Sequence, residues 1–449
     1  MTTAGDPVLE EQRRLVARNA RDVIALHNLG AELRKRDRLD EALEVISRAI
    51  ALGAKAPETR AIYAHLLGDF GQFEEAVTQY QRVLDEHPDY IDAHETLARL
   101  LPQIGRRAEA FVAYRKALDR SPGSGLLWLS ALSAAKDLRD ADELLALVRT
   151  AQARFGPEPI LTILAAQASM WRGDDSVAKA AIERAIAVEP DNAAGHATLA
   201  QIYIRSGDIG AAETAALSAT RLAPDDQTGW ALLSVIWRLM DDPRENWLAD
   251  YDRFVMEFDL DEIDLPATAH ALLQLHRTME HPAEQSIRGG TQTRGSLFDK
   301  IDPAICALRD RISRAISLGI AALPDDPRHP FLRRKSAAFA FAGSWSVRLR
   351  SEGHHINHIH HAGWLSSAVY VGLPPEVSGS SVAGALTFGV PEVLLGLDLP
   401  PRRVVAPRPG TLVLFPSYFW HGTLPFTSAT PRLTVAFDAV PVDTAGRPG

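Results

Sequence analysis

The sequence has very little cysteine and no long apolar run. Cys306 is the one cysteine among 449 residues, which excludes an internal disulfide and a thiolate zinc cluster. It lies in an apolar helical pattern, so we expect it to be a buried structural thiol. No run approaches about eighteen apolar residues and the N-terminal stretch has no apolar signal core, so no membrane segment is predicted. From these absences we expect the protein to be in a reducing cytoplasm.

Long runs of one charge are also missing. The net charge of -9, from 57 acidic and 48 basic residues, is spread along the chain, which argues against nucleic acid as a partner. With 46% hydrophobic and 23% charged residues the composition is that of an ordinary globular protein. A chain of 449 residues is too long for one core, so two or three domains are predicted.

A period of 34 residues runs through the first half of the chain. Each unit reads as two amphipathic helices, in which small residues allow close packing and a proline ends the second helix. The turn positions in this register are Asp37, Gly71, Gly105, Gly173 and Gly207. Alanines keep the same register at Ala42, Ala76, Ala110, Ala178 and Ala212, and prolines at Pro88, Pro122, Pro190 and Pro224.

This pattern resembles the tetratricopeptide repeat family over roughly residues 23 to 226, as six units. The resemblance implies an α-solenoid at 23–240, preceded by a helical cap at 1–22, whose concave face binds a peptide or a partner protein. An array that only stiffens the chain, or that forms a homodimer, is the alternative. The unit at 125–158 departs most, because Leu144 replaces the alanine and the turn glycine is missing, so its helix packing is the least certain.

Residues 241–335 are predicted to form a capping helix and a helical lead-in to a second domain. Within them, paired glycines and polar residues in "SIRGGTQT" indicate a loop, read either as a surface turn or as a loop that binds an anion or a substrate. The side chains that such a loop would offer are Arg288, Thr291, Gln292 and Thr293.

From about residue 336 the hydrophobic period changes to two, in short runs bounded by Gly, Pro and Ser, which predicts a β-sandwich or jelly roll. The segment "GHHINHIHHAG" holds five histidines. Residues two apart on a strand share a face, so His358 and His360 would point together, and a later strand carries His421. Three imidazoles can occupy one face of a metal octahedron, as in non-haem Fe(II) oxygenases. Arg432 could hold the far carboxylate of a keto-acid cosubstrate.

The segments "HINHIHHAGWLSSAVYVGLP", "GTLVLFPSYFWHGTLPF" and "RLTVAFD" resemble the 2-oxoglutarate- and Fe(II)-dependent oxygenases with a double-stranded β-helix, in the bacterial subgroup joined to tetratricopeptide repeats. The resemblance runs from about 281 to 440 and implies an oxygenase domain at 336–449 that uses Fe(II), 2-oxoglutarate and O₂ to hydroxylate a protein or peptide held by the repeats. It implies His358, His360 and His421 as metal ligands, Arg432, Thr434 and Tyr370 as cosubstrate contacts, Arg288, Thr291, Gln292 and Thr293 at the border of the site, and His355, Asn357 and Trp345 around the ligands.

One departure leaves the ligand set open. Most members of the wider superfamily have an acid two positions after the first histidine, but here that position is His360, and no acid occurs from Gly353 through Pro375. Either His360 completes a three-histidine centre, or His358 and His421 hold the metal and water fills the gap. Two other functions stay open as well. They are a non-catalytic metal-binding scaffold, and a cupin-like three-histidine dioxygenase that needs no 2-oxoglutarate.

Overall fold

A computed structural model of the chain describes residues 7–276, 286–293, 295–377 and 382–442. They form two compact units. The first contains residues 7–134 with Asp299–Ile301, and the second contains residues 135–276, 286–298 and 302–442. The predicted fold class, an α-solenoid followed by an antiparallel β domain of the jelly-roll kind, is confirmed. Within the described residues, no helix combines the length and the apolar character needed to cross a membrane.

Helix pairs build the first unit. The helices that begin in it are α1 (Pro7–Arg18), α2 (Val23–Lys35), α3 (Leu39–Ala51), α4 (Pro57–Asp69), α5 (Phe73–Glu86), α6 (Ile91–Gln103), α7 (Val112–Arg120) and α8 (Gly125–Asp137). The column alanines are buried where two helices meet, as at Ala42 and Ala76, each 0% exposed. Small side chains at these positions let the helix axes approach closely.

The repeats continue into the second unit. Its helices in this region are α9 (Ala141–Phe155), α10 (Pro159–Trp171), α11 (Asp175–Val188), α12 (Ala193–Ser206), α13 (Ile209–Leu222), α14 (Gln227–Leu239), and the short α15 (Arg244–Leu248) and α16 (Tyr251–Phe254). The unit at 125–158 is regular in spite of its departures, since α8 and α9 both form and Leu144 is fully buried in the alanine position.

The turn within each helix pair contains one residue with a left-handed backbone. The predicted glycines at 71, 105, 173 and 207 have φ between 78° and 85°. Asp37, Arg139 and Asp241 occupy the same place in the 34-residue register, with φ of 61°, 48° and 54°. The unit at 125–158 therefore keeps the turn although it lacks the glycine. Its arginine adopts a conformation that glycine reaches without steric cost.

Two antiparallel sheets follow. The first has six strands in the order β1-β7-β4-β9-β3-β2, and the second has three in the order β6-β5-β8. The strands are β1 (Met256–Asp259), β2 (Ile287–Gln292), β3 (Phe339–His355), β4 (Leu365–Gly372), β5 (Leu386–Phe388), β6 (Arg403–Val405), β7 (Thr411–Pro416), β8 (His421–Thr423) and β9 (Arg432–Pro441). The helices α17 (Leu265–Leu273) and α18 (Pro303–Ala322) lie between β1 and β3 in the chain.

The lead-in differs from its prediction. It contributes strands β1 and β2 to the larger sheet, and the predicted "SIRGGTQT" loop is mostly β2, paired with β3. The paired glycines mark a β-bulge rather than a loop. Gly289 has a φ of 69°, and a Cβ on Gly290 would stand 2.5 Å from the main-chain oxygen of Arg348.

One apolar core connects α12, α13 and α14 with the sheets. It includes Trp237 on α14 and, from the β domain, Trp364, Trp420 and Phe437, all at most 3% exposed. The last repeats and the β domain therefore pack as one body within the second unit. Cys306, expected to be buried, is half-buried on α18.

Candidate metal centre

Three histidines of the second unit come together. Strand β3 ends at His355, and His358 then forms an isolated antiparallel bridge with His421 at the start of β8, through main-chain hydrogen bonds of 2.9 and 3.1 Å. The main-chain N–H of His360 donates to the carbonyl of Ser417 at 3.0 Å. His358 and His360 thus come together as predicted, but on a bridged segment after a strand rather than within one.

The imidazoles are close enough for one ion. His358, His360 and His421 can each offer one ligand atom, and these atoms all lie within 4.8 Å of one another. The Nε2 atoms of His358 and His360 are 3.2 Å apart, and the three ring centroids are separated by 4.2 to 5.1 Å. Three imidazole nitrogens at such distances suit Fe, Zn or another first-row divalent metal.

Two of the rings are oriented by their own backbone. Nδ1 of His358 lies 2.9 Å from the carbonyl oxygen of Ile356, and Nδ1 of His421 lies 2.9 Å from that of Phe419. A carbonyl only accepts, so Nδ1 carries the proton in each ring and donates it. The Nε2 lone pair is then directed to the shared space, as a metal ligand requires.

Burial keeps these rings neutral. It is the main cause that lowers the pKa of His358 to about 3 and that holds the pKa of His421 well below its usual value, and neighbouring histidines lower both further. At neutral pH both are therefore unprotonated at Nε2. A metal can bind them without first displacing a proton.

A carboxylate contacts one of the three histidines, although none occupies the ligand position itself. Nδ1 of His360 donates to the carboxylate of Asp438 on β9 at 2.7 Å. His360 is thereby oriented with Nε2 toward the other two histidines, which favours the three-histidine arrangement over two histidines and water. Sequence reasoning missed Asp438 because it sought an acid near His358. A usable signal was its even spacing from Arg432 on one strand, which puts both on one face.

Arg432 and Tyr370 form a second polar group on the same sheet. Arg432 is 2% exposed, donates from Nη1 to the carbonyl of Gly384 at 2.6 Å, and places its guanidinium carbon 5.2 Å from the ring centroid of Tyr370. Among the described residues, neither Nε of Arg432 nor the hydroxyl of Tyr370 has a hydrogen-bond partner, although both are buried. A buried donor without a hydrogen-bond partner is costly in free energy. Two such donors side by side therefore indicate a binding place for a ligand that accepts hydrogen bonds.

The strand register shows which of the predicted site residues share a face of the sheet with Arg432 and Tyr370. Tyr370 and Val347 are both paired with Thr434, and Val347 is also paired with Gln292. Directly paired residues of antiparallel strands share a face of the sheet. Thr434 and Gln292 therefore lie on the same face of the sheet as Tyr370 and Arg432.

Thr291 and Thr293 are not brought to the histidines. Thr291 is paired with Arg348 on the opposite face, and its hydroxyl lies 2.9 Å from Nδ1 of His276. The hydroxyl of Thr293 accepts from the main-chain N–H of Ser346 at 2.9 Å. The Thr293 hydroxyl thus links the chain after β2 to β3, whereas the Thr291 hydroxyl links β2 to His276.

Two other predicted residues lie beside the ligands. Trp345 stacks on His360 with a centroid distance of 6.0 Å and an interplanar angle of 17°. His355 stacks on His358 at 6.1 Å and 18°, while its Nδ1 bonds the hydroxyl of Ser286 at 2.9 Å rather than a ligand imidazole. These flat contacts restrict rotation of the ligand rings.

Arg288 and Asn357 each donate a hydrogen bond to a main-chain carbonyl outside the triad. The guanidinium of Arg288 donates to the carbonyl of Ile287 at 2.7 Å, and the residue is paired with His354 beyond the bulge. The side-chain amide of Asn357 donates to the carbonyl of Pro391 at 3.4 Å. Neither contact reaches the imidazole triad.

Comparisons with known families match three segments. Residues 343–438 match the family described as "Putative 2OG-Fe(II) oxygenase". Residues 64–125 and 172–236 match tetratricopeptide repeat families. The first segment contains the histidine triad together with Arg432 and Asp438.

Solved structures resemble the chain only in part. A tetratricopeptide repeat protein from Parabacteroides merdae has 20% identity and a TM-score of 0.33, covering 51% of this chain and 90% of its own. YrrB, titled a TPR protein with an unusual peptide-binding site, has 16% identity and a TM-score of 0.30, covering 42% and 96%. The type IV pilus biogenesis factor PilW has 17% identity and a TM-score of 0.33, covering 44% and 93%. No curated protein matches the sequence.

Proposed function

Because the chain joins tetratricopeptide repeats to a domain that matches the 2OG-Fe(II) oxygenase family, we propose that it is a 2-oxoglutarate- and Fe(II)-dependent dioxygenase. The observation that carries the proposal is the presence, in one domain, of both an imidazole triad and a buried guanidinium without an acidic partner among the described residues. The first suits the metal and the second suits the cosubstrate.

His358, His360 and His421 fit Fe(II) as three ligands whose Nδ1 atoms are already hydrogen-bonded elsewhere. Three ligands on one face leave three coordination positions open. A keto acid needs two of them and O₂ needs one.

Arg432 and Tyr370 fit the far carboxylate of 2-oxoglutarate. A guanidinium binds a carboxylate through parallel N–H donors, and the tyrosine hydroxyl adds a third donor beside them. Both donors are buried, so water competes poorly for the bound carboxylate. These two donors favour a dioxygenase that uses 2-oxoglutarate over a three-histidine dioxygenase that works without it.

When bound, Fe(II) with 2-oxoglutarate would supply the oxidising power for inserting one atom of O₂ into a substrate C–H bond, with succinate and CO₂ as the coproducts. The chain's own part is to bind and to orient. His355 and Trp345 keep the ligand rings in place by stacking, and the apolar strands around Arg432 exclude water from the cosubstrate.

We further propose that the substrate is a protein or peptide side chain recruited by the repeats of the first unit. Ile24 and Leu126 occupy the same place in the 34-residue register and are 70% and 74% exposed, with Glu58 and Asp92 at the two positions between them. In α14 this place is Thr228, which bonds the chain's own His361. This register position contacts another segment of polypeptide in the last repeat, which supports binding of a substrate polypeptide at the same position in the first repeats.

The test is succinate release from 2-oxoglutarate by protein loaded with Fe(II) under anaerobic conditions and then given O₂. We expect release from the wild type, loss of release in His421→Ala because a metal ligand is removed, and a rise of at least tenfold in the 2-oxoglutarate concentration required by Arg432→Met. Arg432→Met keeps most of the buried volume, so its effect reports the lost carboxylate contact.

Other outcomes identify the alternatives. If the Arg432→Met variant still turned over a substrate, and added 2-oxoglutarate did not change the rate, the protein would be a cupin-like dioxygenase. No succinate release and no 2-oxoglutarate binding, with metal still bound, would indicate a scaffold.

Mass spectrometry of proteins captured by the zinc-loaded form and then exposed to active enzyme would reveal the substrate through a shift of +16 Da, the mass of one added oxygen atom. The cytoplasmic location and a possible homodimer stay predictions that fractionation and light scattering would test.

A further inference from the structure

Asp438 lies at the point where the sheet meets the imidazole triad. It is on β9, directly opposite Ser366 of β4. Its carboxylate accepts two short hydrogen bonds of 2.7 Å, one from Nδ1–H of His360 and one from the hydroxyl of Ser366. A hydrogen bond to an ionised acceptor is about twice as strong as one between neutral groups.

The groups around Asp438 fix its position. The Ser366 hydroxyl also lies 2.8 Å from that of Ser417, and both serines are fully buried. The main-chain carbonyl of Ser417 accepts from the N–H of His360 at 3.0 Å, and its own N–H donates to the carbonyl of Trp364 at 3.0 Å. His360 is therefore held at its backbone and at its ring by one connected network. Its ring has little freedom to turn Nε2 away from the triad.

The three imidazoles differ in what holds them. His358 and His421 donate from Nδ1 to the neutral carbonyls of Ile356 and Phe419, whereas His360 donates to a carboxylate. A negative charge that attracts the Nδ1 proton makes Nε2 of the same ring more basic, and so a stronger metal ligand. The centre is thus asymmetric in charge although all three ligands are histidines.

We propose that Asp438 is a positioning residue that supplies to the metal, through His360, the negative charge that a directly bound carboxylate brings in related centres. The arrangement orients His360 and strengthens its Nε2 without occupying a coordination position. This inference rests on the proposed metal centre. It does not depend on the cosubstrate or on turnover.

The test compares Co(II) binding by the full-length wild type and three variants, followed by the visible absorption of the bound ion. Asp438→Asn keeps an acceptor oxygen for His360 but removes the charge, so we expect Co(II) affinity to fall about tenfold or more, with a shift of the absorption bands. Ser366→Ala keeps the charge and should lower the affinity less than about threefold. Asp259→Asn is the matched control, because Asp259 also accepts from a hydroxyl on this sheet, that of Thr411 at 3.0 Å, but touches no imidazole.

The band shift separates charge from structure, since a variant that merely loosens the sheet changes the stability and leaves the spectrum of bound Co(II) as it was. Equal affinity and equal bands in Asp438→Asn and wild type would overturn the proposal. If the wild type bound no Co(II), the metal centre itself would be wrong, and Asp438 with it. If Asp438→Asn does not fold, ¹⁵N spectra of the zinc-loaded wild type decide the matter. Nδ1 of His360 must then carry a slowly exchanging proton, and an unprotonated or metal-bound Nδ1 would refute the role.

Discussion

The indole nitrogen of Trp420 donates to the main-chain carbonyl of Ala231 at 2.9 Å. This bond ties the residue before His421 to the repeat helix α14. The same helix also reaches the other ligand segment, since the main-chain N–H of Gln227 donates to the carbonyl of His361 at 3.0 Å. One helix of the solenoid thus contacts both chain segments that carry the triad. The last repeat is therefore part of the frame of the candidate metal centre.

Replacing Trp420 with Phe tests this frame. The indole is 3% exposed, so losing its hydrogen bond should lower the free energy of unfolding by about 1 to 2 kcal/mol and, by freeing His421, weaken Co(II) binding several-fold. Trp230→Phe is the control, because Trp230 is on the same helix and donates to the carbonyl of Pro224 at 3.0 Å, within the repeats. Denaturant unfolding and Co(II) titration measure both effects. Equal Co(II) affinities in the two variants would contradict the frame.

Tyr370→Phe should change stability and cosubstrate binding in opposite directions. Its hydroxyl is buried without a partner among the described residues, so removing it should raise the free energy of unfolding of the ligand-free protein by about 1 kcal/mol. The same change removes a donor to the cosubstrate and should weaken 2-oxoglutarate binding about tenfold in calorimetry of the zinc-loaded protein.

Tyr418→Phe provides the contrast for Tyr370. Tyr418 is as buried, but its hydroxyl donates to the carbonyl of Leu248 at 2.6 Å. Its loss should destabilise the protein and leave 2-oxoglutarate affinity unchanged. If Tyr370→Phe instead destabilised the protein with no effect on binding, its hydroxyl would have a structural partner and no part in the cosubstrate site.

The repeats could be predicted closely because each unit follows the same local rules. A 34-residue spacing of small residues, prolines and turn glycines is visible in the sequence, and even the exceptional unit obeys it, with Arg139 in a left-handed turn. What spacing could not show was that a non-glycine residue would accept that strain. The surrounding helix pair stabilises the turn enough to impose it.

The histidine triad could be predicted because two of its members lie close in sequence, but Asp438 could not be assigned in this way. Its partner His360 is 78 positions earlier, and only the pairing of β9 with β4 brings the network together. Strands β1 and β2 were missed for a related reason. Short edge strands carry a weak pattern of their own, which paired glycines weaken further in β2, and their partners on β7 and β3 determine their conformation.

A pair of glycines three residues apart tests the turn geometry. Gly207 has a φ of 78°, and Gly210 lies in the first turn of α13; a Cβ on either would meet no atom within 4 Å. Gly207→Ala should therefore lower the free energy of unfolding by about 1 kcal/mol through backbone strain alone. Gly210→Ala should raise it by about 0.5 kcal/mol, because alanine favours the helix. Chemical denaturation of both variants measures the difference, and two changes of the same sign would contradict this account.

His276 should make the stability of the second unit depend on pH. It is 9% exposed, and its ring nitrogens lie 2.9 Å from the hydroxyl of Thr291 and 3.1 Å from that of Ser346. Ser346 donates its own proton to the carbonyl of Thr434, so it must accept from Nε2–H of His276, and Nδ1 then accepts from Thr291. The network thus selects a neutral imidazole with its proton on Nε2.

Burial, and then the charge of Arg348, lower the pKa of His276 to about 4 from 6.5. The unfolded chain therefore takes up the proton first as pH falls. The stability contributed by the neutral form is complete above pH 6.5 and is lost progressively between 6.5 and 4, with a total of about 3 kcal/mol at most. Urea unfolding at pH 7 and pH 4.5 should show the wild type losing about 2.5 kcal/mol more than His276→Gln, whose amide does not titrate. His270→Gln removes an exposed histidine from α17 and should keep the wild-type dependence. Parallel pH curves for the wild type and His276→Gln would mean that His276 does not titrate differently in the folded and unfolded chain.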